Sequence, residues 1–214
     1  MVAEAQGATL GQLRVWIDSF HTLVAEQKAY LTELDSAIGD ADHGINMSRG
    51  MNAVAAKLDV SSPSTIGELF KTVGMTLVST VGGASGPLYG TFFLRIGTSA
   101  GDVEELDGSG LGTALQAALD GVLARGKAQV GDKTMIDALT SAVEAFRGAV
   151  QGGSSIADAA SQAQDAAERG RDSTTPLTAR KGRASYLGER SIGHLDPGAV
   201  STALLFTALA KALA

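Results

Sequence analysis

Apolar residues recur at three- and four-residue spacings along almost the whole chain, and no stretch alternates long enough to suggest a sheet. Leu13, Trp16, Phe20, Leu23, Val24, Tyr30 and Leu34 share one face of a long first helix. A second helix runs from Ile45 to about Leu58. Thr65 followed by Glu68 forms a capping-box signature ahead of Leu69, Val73 and Leu77, which starts a third. Pro87 suits the first turn of a fourth, through Phe92, Phe93 and Ile96. Leu111, Leu115, Leu119 and Val122 predict a fifth, and Met135 to about Val150 a sixth. Alanine-rich residues from Ser155 to about Arg169 make a seventh, and Pro197 to Leu213 an eighth.

Helices joined by short connections pack as antiparallel neighbours. In such an up-and-down arrangement the connections after helices one, three, five and seven lie at one end: "GDADHG", "GGASGPLYG", "RGKAQVGDKT" and "RASYLGERSIGHLDPG". The alternate connections, "DVSSPS", "SAGDVEELDGSG" and "QGGSS", are ordinary polar links at the other end. The chemically unusual loops thus fall on one rim. No repeat or linker divides the chain, so residues 1–214 are expected to form one domain.

At 214 residues and 44% hydrophobic, the chain can bury a substantial core. Its net charge of -6 disfavours an extended nucleic-acid footprint. The absence of cysteine excludes disulfides, thiolate metal sites and cysteine nucleophiles. No apolar run reaches the roughly 20 residues of a spanning helix, and the N-terminus lacks a basic stretch followed by an apolar core. A cytoplasmic protein that neither enters a membrane nor binds nucleic acid is expected.

Asp35, Asp40 and Asp42 crowd like charges into a short span. Read from spacing alone, they suit either a hard-oxygen site for Mg²⁺ or Ca²⁺ or a solvated turn between helices. An EF-hand does not fit, because starting its pattern at Asp40 places Ile45 and Met51 where glycine and glutamate belong. "VGGASGPLYG" has no Walker lysine, yet its small residues lead into a helix N-terminus able to approach an anion. Gly126, Lys127, Lys133 and Thr134 read equally as capping and solvation. Arg180, Lys181, Arg183 and Arg190 concentrate positive charge in an acidic chain. Such a cluster serves either to balance the aspartates or, with metal, to hold a phosphate chain. His21 beside Phe20 reads as structural.

"ELDSAIGDADHGINMSRG", "VGGASGPLYGTFFL", "GDKTMIDAL" and "SYLGERSIGHLDPGA" together resemble, in order, the signatures of the ADP-binding L subunit of dihydroxyacetone kinase, phosphoenolpyruvate-dependent type. The resemblance spans about Leu13 to the end. It implies an all-α fold, an eight-helix antiparallel barrel with the nucleotide at one end. By the same resemblance Asp35, Asp40 and Asp42 would hold two Mg²⁺ against the phosphates of ADP or ATP, and would act with Arg183 in catalysis. His43, Gly44, Ile45 and Asn46 would line the nucleotide, Ala84 and Ser85 would contact phosphate, and Gly126 and Met135 would flank the adenosine. Arg183, Asp196, Pro197 and Gly198 would close the site. The implied partners are a K subunit holding dihydroxyacetone covalently and a phosphohistidine M subunit that rephosphorylates bound ADP. A homodimer is left open. Service to another short ketose such as erythrulose with ATP, kinship to the domain of bacterial fatty acid kinases, and a non-catalytic nucleotide sensor remain as alternatives.

Overall fold

The computed structural model describes residues 7–214; the start of the chain, where the reading for an export signal began, lies outside the described residues. Nine α-helices are present among them: α1 (Leu10–Glu26), α2 (Lys28–Ile38), α3 (His43–Ser61), α4 (Ile66–Thr80), α5 (Ser85–Ala100), α6 (Gly108–Gly126), α7 (Met135–Gln151), α8 (Ile156–Asp172) and α9 (Pro197–Leu213). A 3-10 segment, Arg183–Ser191, lies in the long connection before α9. None of these helices is long and apolar enough to cross a membrane.

The expected long first helix is bent rather than straight. Gln27 leaves helical geometry at φ -93, ψ 7, separating α1 from α2. The hydrogen-bond ladder nevertheless crosses the bend, since Gln27 N–H donates to Leu23 O and Leu31 N–H to Gln27 O, both at 2.9 Å. The bend lets α2 pack on the 3-10 segment, where Ile38 meets Ala179, Ala184 and Leu187 in a small apolar cluster of its own. A second departure is a ribbon of two short antiparallel strands, β1 (Gly7–Thr9) and β2 (Glu105–Asp107), with Gly7 opposite Asp107. Three residues per strand are too few for alternation to show in a sequence. The ribbon ties the entry of α1 to the connection between α5 and α6.

Counting α1 and α2 as one stave, the chain makes an eight-stave all-α barrel. Each helix from α3 packs on the next, and α9 closes the ring against α1. Close approach is needed at several joints. A Cβ on Gly74 of α4 would stand 2.8 Å from Gly90 O of α5, and one on Gly170 of α8 only 2.4 Å from Asp137 O of α7. Alanines 159, 160, 163, 166 and 167 bury the inner face of α8 without side-chain bulk.

Capping fixes the stave ends. Thr134 and Asp137 form a full box at the start of α7, as Thr9 and Gln12 do at α1. The box expected at Thr65 is half made: Thr65 Oγ1 accepts from Glu68 N–H at 3.2 Å, while the Glu68 carboxylate turns to Ser64 N–H at 2.8 Å.

Trp16 is the centre of the aromatic core. Its ring meets Phe70, Phe93 and Phe92 edge-on, with centroids 5.6, 6.1 and 6.5 Å away, and its Nε1–H donates to Leu205 O of α9 at 2.8 Å. One side chain therefore joins α1, α4, α5 and α9. Trp16→Ala should cost about 3–5 kcal/mol in urea denaturation, the range for removing a buried aromatic ring. A loss under about 1 kcal/mol would show that the barrel does not close on this residue.

Candidate functional site

One end of the barrel holds a cavity of about 600 Å³, and its wall is drawn from the four alternate connections: α2 to α3, α4 to α5, α6 to α7, and α8 to α9. These are the loops that the parity of the helices assigned to one rim.

The first connection arranges its carboxylates by an unusual cap. Asp42 stands in the N-cap position of α3 but makes no side-chain capping bond. Asp35, from the last turns of α2, does the capping instead: its Oδ2 accepts from Asp42 N–H at 2.8 Å and from His43 N–H at 3.1 Å. Asp42 keeps its carboxylate for the cavity. Gly39 is required there, because a Cβ would sit 2.0 Å from Asp35 Oδ1. The turn is tight enough to hold Ala41 at φ +60. Asp35, Asp40 and Asp42 can each offer one oxygen within 4.8 Å of the others. That is an all-oxygen donor set suited to a hard cation. Asp40 Oδ2 also lies 2.8 Å from Arg183 Nε, but Arg183 is 69% exposed, so solvent leaves the pair little strength.

The second connection offers backbone donors. Gly83 turns at φ +63, and α5 then begins at Ser85 with no side-chain cap and no acidic residue in its first turn. Its first N–H groups are left for an anion at the cavity wall. His43 links the two connections, with Nδ1 3.1 Å from Ser85 Oγ and Nε2 2.9 Å from Ser201 Oγ of α9. Burial lowers its pKa to about 4 against the opposing pull of Asp35 and Asp42, so the imidazole is neutral.

The third and fourth connections are fastened together by Lys133. Its side chain is buried, and its Nζ donates to the carbonyls of Thr174 and His194. Burial lowers its pKa, while Asp196 and Asp137 act in the other direction. Asp196 caps α9 by accepting from Ala199 N–H at 2.7 Å. Desolvation pushes its carboxyl up to about 7, the Ala199 bond opposes this, and Asp137 adds to it.

Asp35, Asp40, Asp42, His43, Ala84, Ser85, Gly126, Met135, Arg183, Asp196, Pro197 and Gly198 all border the cavity. Of the run His43 to Asn46, only His43 does so, because each helical residue turns about 100° from the last. Gly44 packs on α2, where a Cβ would stand 2.1 Å from Lys28 O. Ile45 is 45% exposed. Asn46 is buried behind Gly82, its Oδ1 accepting from Arg49 at 2.8 Å. Of the basic cluster, Lys181 and Arg183 reach the wall, and Arg180 and Arg190 do not. The sequence reading left out Tyr89 and Ser201 and did not see Lys133 as a buried strut. Its available signal was a pair of hydroxyls, Ser201 and Thr202, inside an otherwise apolar helix, where each needs a partner.

The DAK2 domain family matches residues 37–211. The chain is 47% identical to the phosphoenolpyruvate-dependent dihydroxyacetone kinase 1 ADP-binding subunit of Listeria innocua, over 91% of this chain and 92% of that one. It is 48% identical to the corresponding ADP-binding subunit of the phosphotransferase-system-dependent kinase of Lactococcus lactis, over 93% and 95%. A crystal structure of the dihydroxyacetone kinase from C. freundii in complex with AMP-PNP and Mg²⁺ superimposes with a TM-score of 0.67 at 25% identity. That match covers 95% of this chain and 33% of the longer one.

His43 and Asp196 give opposite pH signatures in ligand-free protein. The folded pKa of His43 falls from 6.5 to about 4, so its stabilisation is present above 6.5 and is lost as pH drops towards 4. That of Asp196 rises from 3.8 to about 7, so its stabilisation is present below 3.8 and is lost as pH climbs towards 7. Asp196→Asn should steepen the loss of melting temperature on acidification through this window. His43→Gln should make melting temperature fall as pH rises. Parallel profiles for the two variants would contradict opposite shifts at His43 and Asp196.

Proposed function

We propose that this chain, which belongs to the family of DAK2 domains, is the ADP-binding subunit of a phosphoenolpyruvate-dependent dihydroxyacetone kinase. On this reading it works in the cytoplasm as a single domain. Mg-ADP is its resident cofactor, and through that cofactor it passes a phosphoryl group to dihydroxyacetone held on a partner subunit. The observation that carries the reading is the convergence, on one cavity, of the Asp35, Asp40 and Asp42 carboxylates with the uncapped start of α5. The similarity to two ADP-binding subunits, over 91% and 93% of this chain, supports it.

Each wall has a task. The cavity volume suits a nucleotide. Gly126 and Met135, with Leu88 and Val122, give an apolar side for adenosine, and the N–H groups of α5 with Ser85 face its phosphates. Asp35, Asp40 and Asp42 would hold Mg²⁺, two ions in this reading; bound there, Mg²⁺ neutralises phosphate charge and orients the transferring group. Asp35 holds the loop by capping α3. Arg183 is free to leave Asp40 for the phosphate in flight, because its pair with Asp40 is weakly held. Asp196, Pro197 and Gly198 close the fourth side.

Among the described residues neither histidine of this rim is placed to carry a ketose, and His194 does not border the cavity. Both ring nitrogens of His43 are engaged, with Ser85 and Ser201. Holding the acceptor in line is worth several kcal/mol of barrier. That task falls to a K subunit that binds dihydroxyacetone covalently, while a phosphohistidine M subunit restores the phosphate on bound ADP.

Native mass spectrometry should find the purified chain carrying ADP and two Mg²⁺, and Asp40→Asn should strip both while the circular dichroism of the helices persists. Retention of ADP by that variant would contradict the metal assignment. Incubated with ATP, Mg²⁺ and dihydroxyacetone but no partner, the chain should form no triose phosphate. Adding K and M subunits with phosphoenolpyruvate should start turnover without ATP. Product formed by the chain alone, at kinase rates of roughly 1–100 per second, would overturn the subunit reading.

A further inference from the structure

The cavity wall is joined to the core by a line of hydrogen bonds across three helices. Tyr89, buried on α5, places its phenol oxygen 2.7 Å from Ser201 Oγ of α9. Ser201 Oγ lies 2.9 Å from His43 Nε2 of α3, and His43 Nδ1 lies 3.1 Å from Ser85 Oγ at the start of α5. Neutral imidazole carries one N–H, and each hydroxyl carries one proton. The line therefore has a direction, set by where two protons go: Ser201 can give its own to His43 Nε2, to the Gly198 carbonyl at 3.1 Å or to the Tyr89 oxygen, and Tyr89 can give its own to Ser201 or to Thr202 Oγ1 at 3.1 Å.

The two directions differ at the cavity. If Ser201 donates to Gly198, its oxygen accepts from His43 Nε2–H, Nδ1 becomes an acceptor, and Ser85 turns its proton inward. Ser85 would then present lone pairs beside the N–H groups of α5, which repels the anion those groups attract. If Tyr89 donates to Ser201 and Ser201 to Nε2, Nδ1–H donates to Ser85 and the Ser85 proton faces the cavity. Gly198 loses little, since its carbonyl lies in the first turn of α9, where the helix supplies a partner. Hydrogen bonds aligned head to tail also polarise one another in a buried setting.

We propose that Tyr89 and Ser201 are positioning residues which, through the Nδ1–H tautomer of His43, aim the Ser85 hydroxyl proton at a phosphate of the bound nucleotide. The inference rests on the nucleotide reading of the cavity. It adds two residues that lie on or behind the wall and need not touch the ligand, and it gives Ser201, one of the two hydroxyls of α9, a role. Burial pushes the Tyr89 phenol up to about 12, so the line begins on a group that keeps its proton at any working pH.

The test is a long-range ¹⁵N–¹H spectrum of the full chain with excess ADP and Mg²⁺, the His43 signals identified by their loss in His43→Asn. A neutral ring protonated at Nδ1 is expected; a ring protonated at Nε2 overturns the proposal, and this reading needs no Tyr89 or Ser201 variant. Binding isotherms for Mg-ADP give an independent reading. Ser201→Ala should weaken affinity about fivefold, as for one hydrogen bond, and Ser85→Ala at least as much. Ser85→Ala with Ser201→Ala should be no weaker than Ser85→Ala alone. Penalties that multiply would mean that Ser201 acts only as structure, and would also overturn it. Tyr89→Phe, which keeps the ring, should again lose affinity only when Ser85 is intact. If the unsubstituted chain binds no Mg-ADP, the proposed function falls first, and this inference with it.

Discussion

The Asp35 carboxylate accepts two backbone N–H groups at the start of α3, and the rest of the rim depends on that cap. Because an aspartate of one helix caps the next, the turn between them is fixed from within. Asp42 is thereby released from its ordinary capping duty. Asp40 is held at the tip, beside Arg183. Three carboxylates can then stand within reach of a common cation, an arrangement that like charges would not adopt without a frame. Gly39 supplies the room, and α2 supplies the register by bending away from α1 to lean on the 3-10 segment.

The barrel does for the other connections what the cap does for the first. Alternating staves carry the uncapped end of α5, the turn before α7 and the basic segment before α9 to the same rim as the aspartates. Lys133 then fastens two of these connections by donating to carbonyls of the long loop. An ammonium buried among carbonyl oxygens keeps its hydrogen bonds but gives up hydration, a strained arrangement that makes sense where a loop must be held still. The same rim gathers groups that weaken the fold on their own: clustered aspartates, a desolvated carboxyl at Asp196 and a helix start without its cap. The aspartates are relieved by a cation and the helix start by an anion, so ligand and fold stability are linked.

Much of this was legible from the chain. Apolar spacing placed the staves from the second onward close to their observed positions, and their parity placed the loops on one rim. The bend at Gln27 was hidden because its hydrogen-bond ladder, and so its apolar period, runs through. The ribbon at Gly7 and Glu105 was too short to show. Within the site, spacing flagged the aspartates but not the cap made by Asp35, which depends on a turn of the backbone seven residues on. A motif read as a continuous run also hid the rotation of α3, which sends Ile45 to solvent and Asn46 behind Gly82 while His43 faces the cavity. Lys133 looked like a solvated residue, because nothing local announces a partner more than forty residues away.

The central claim is that the three carboxylates and the start of α5 form one metal-nucleotide site. It is tested most directly by the melting temperature of the purified chain with Mg²⁺ and ADP, before and after EDTA. The account predicts a marked fall on chelation, restored by adding Mg²⁺ and ADP together and not by either alone. A melting temperature unmoved by EDTA would contradict it.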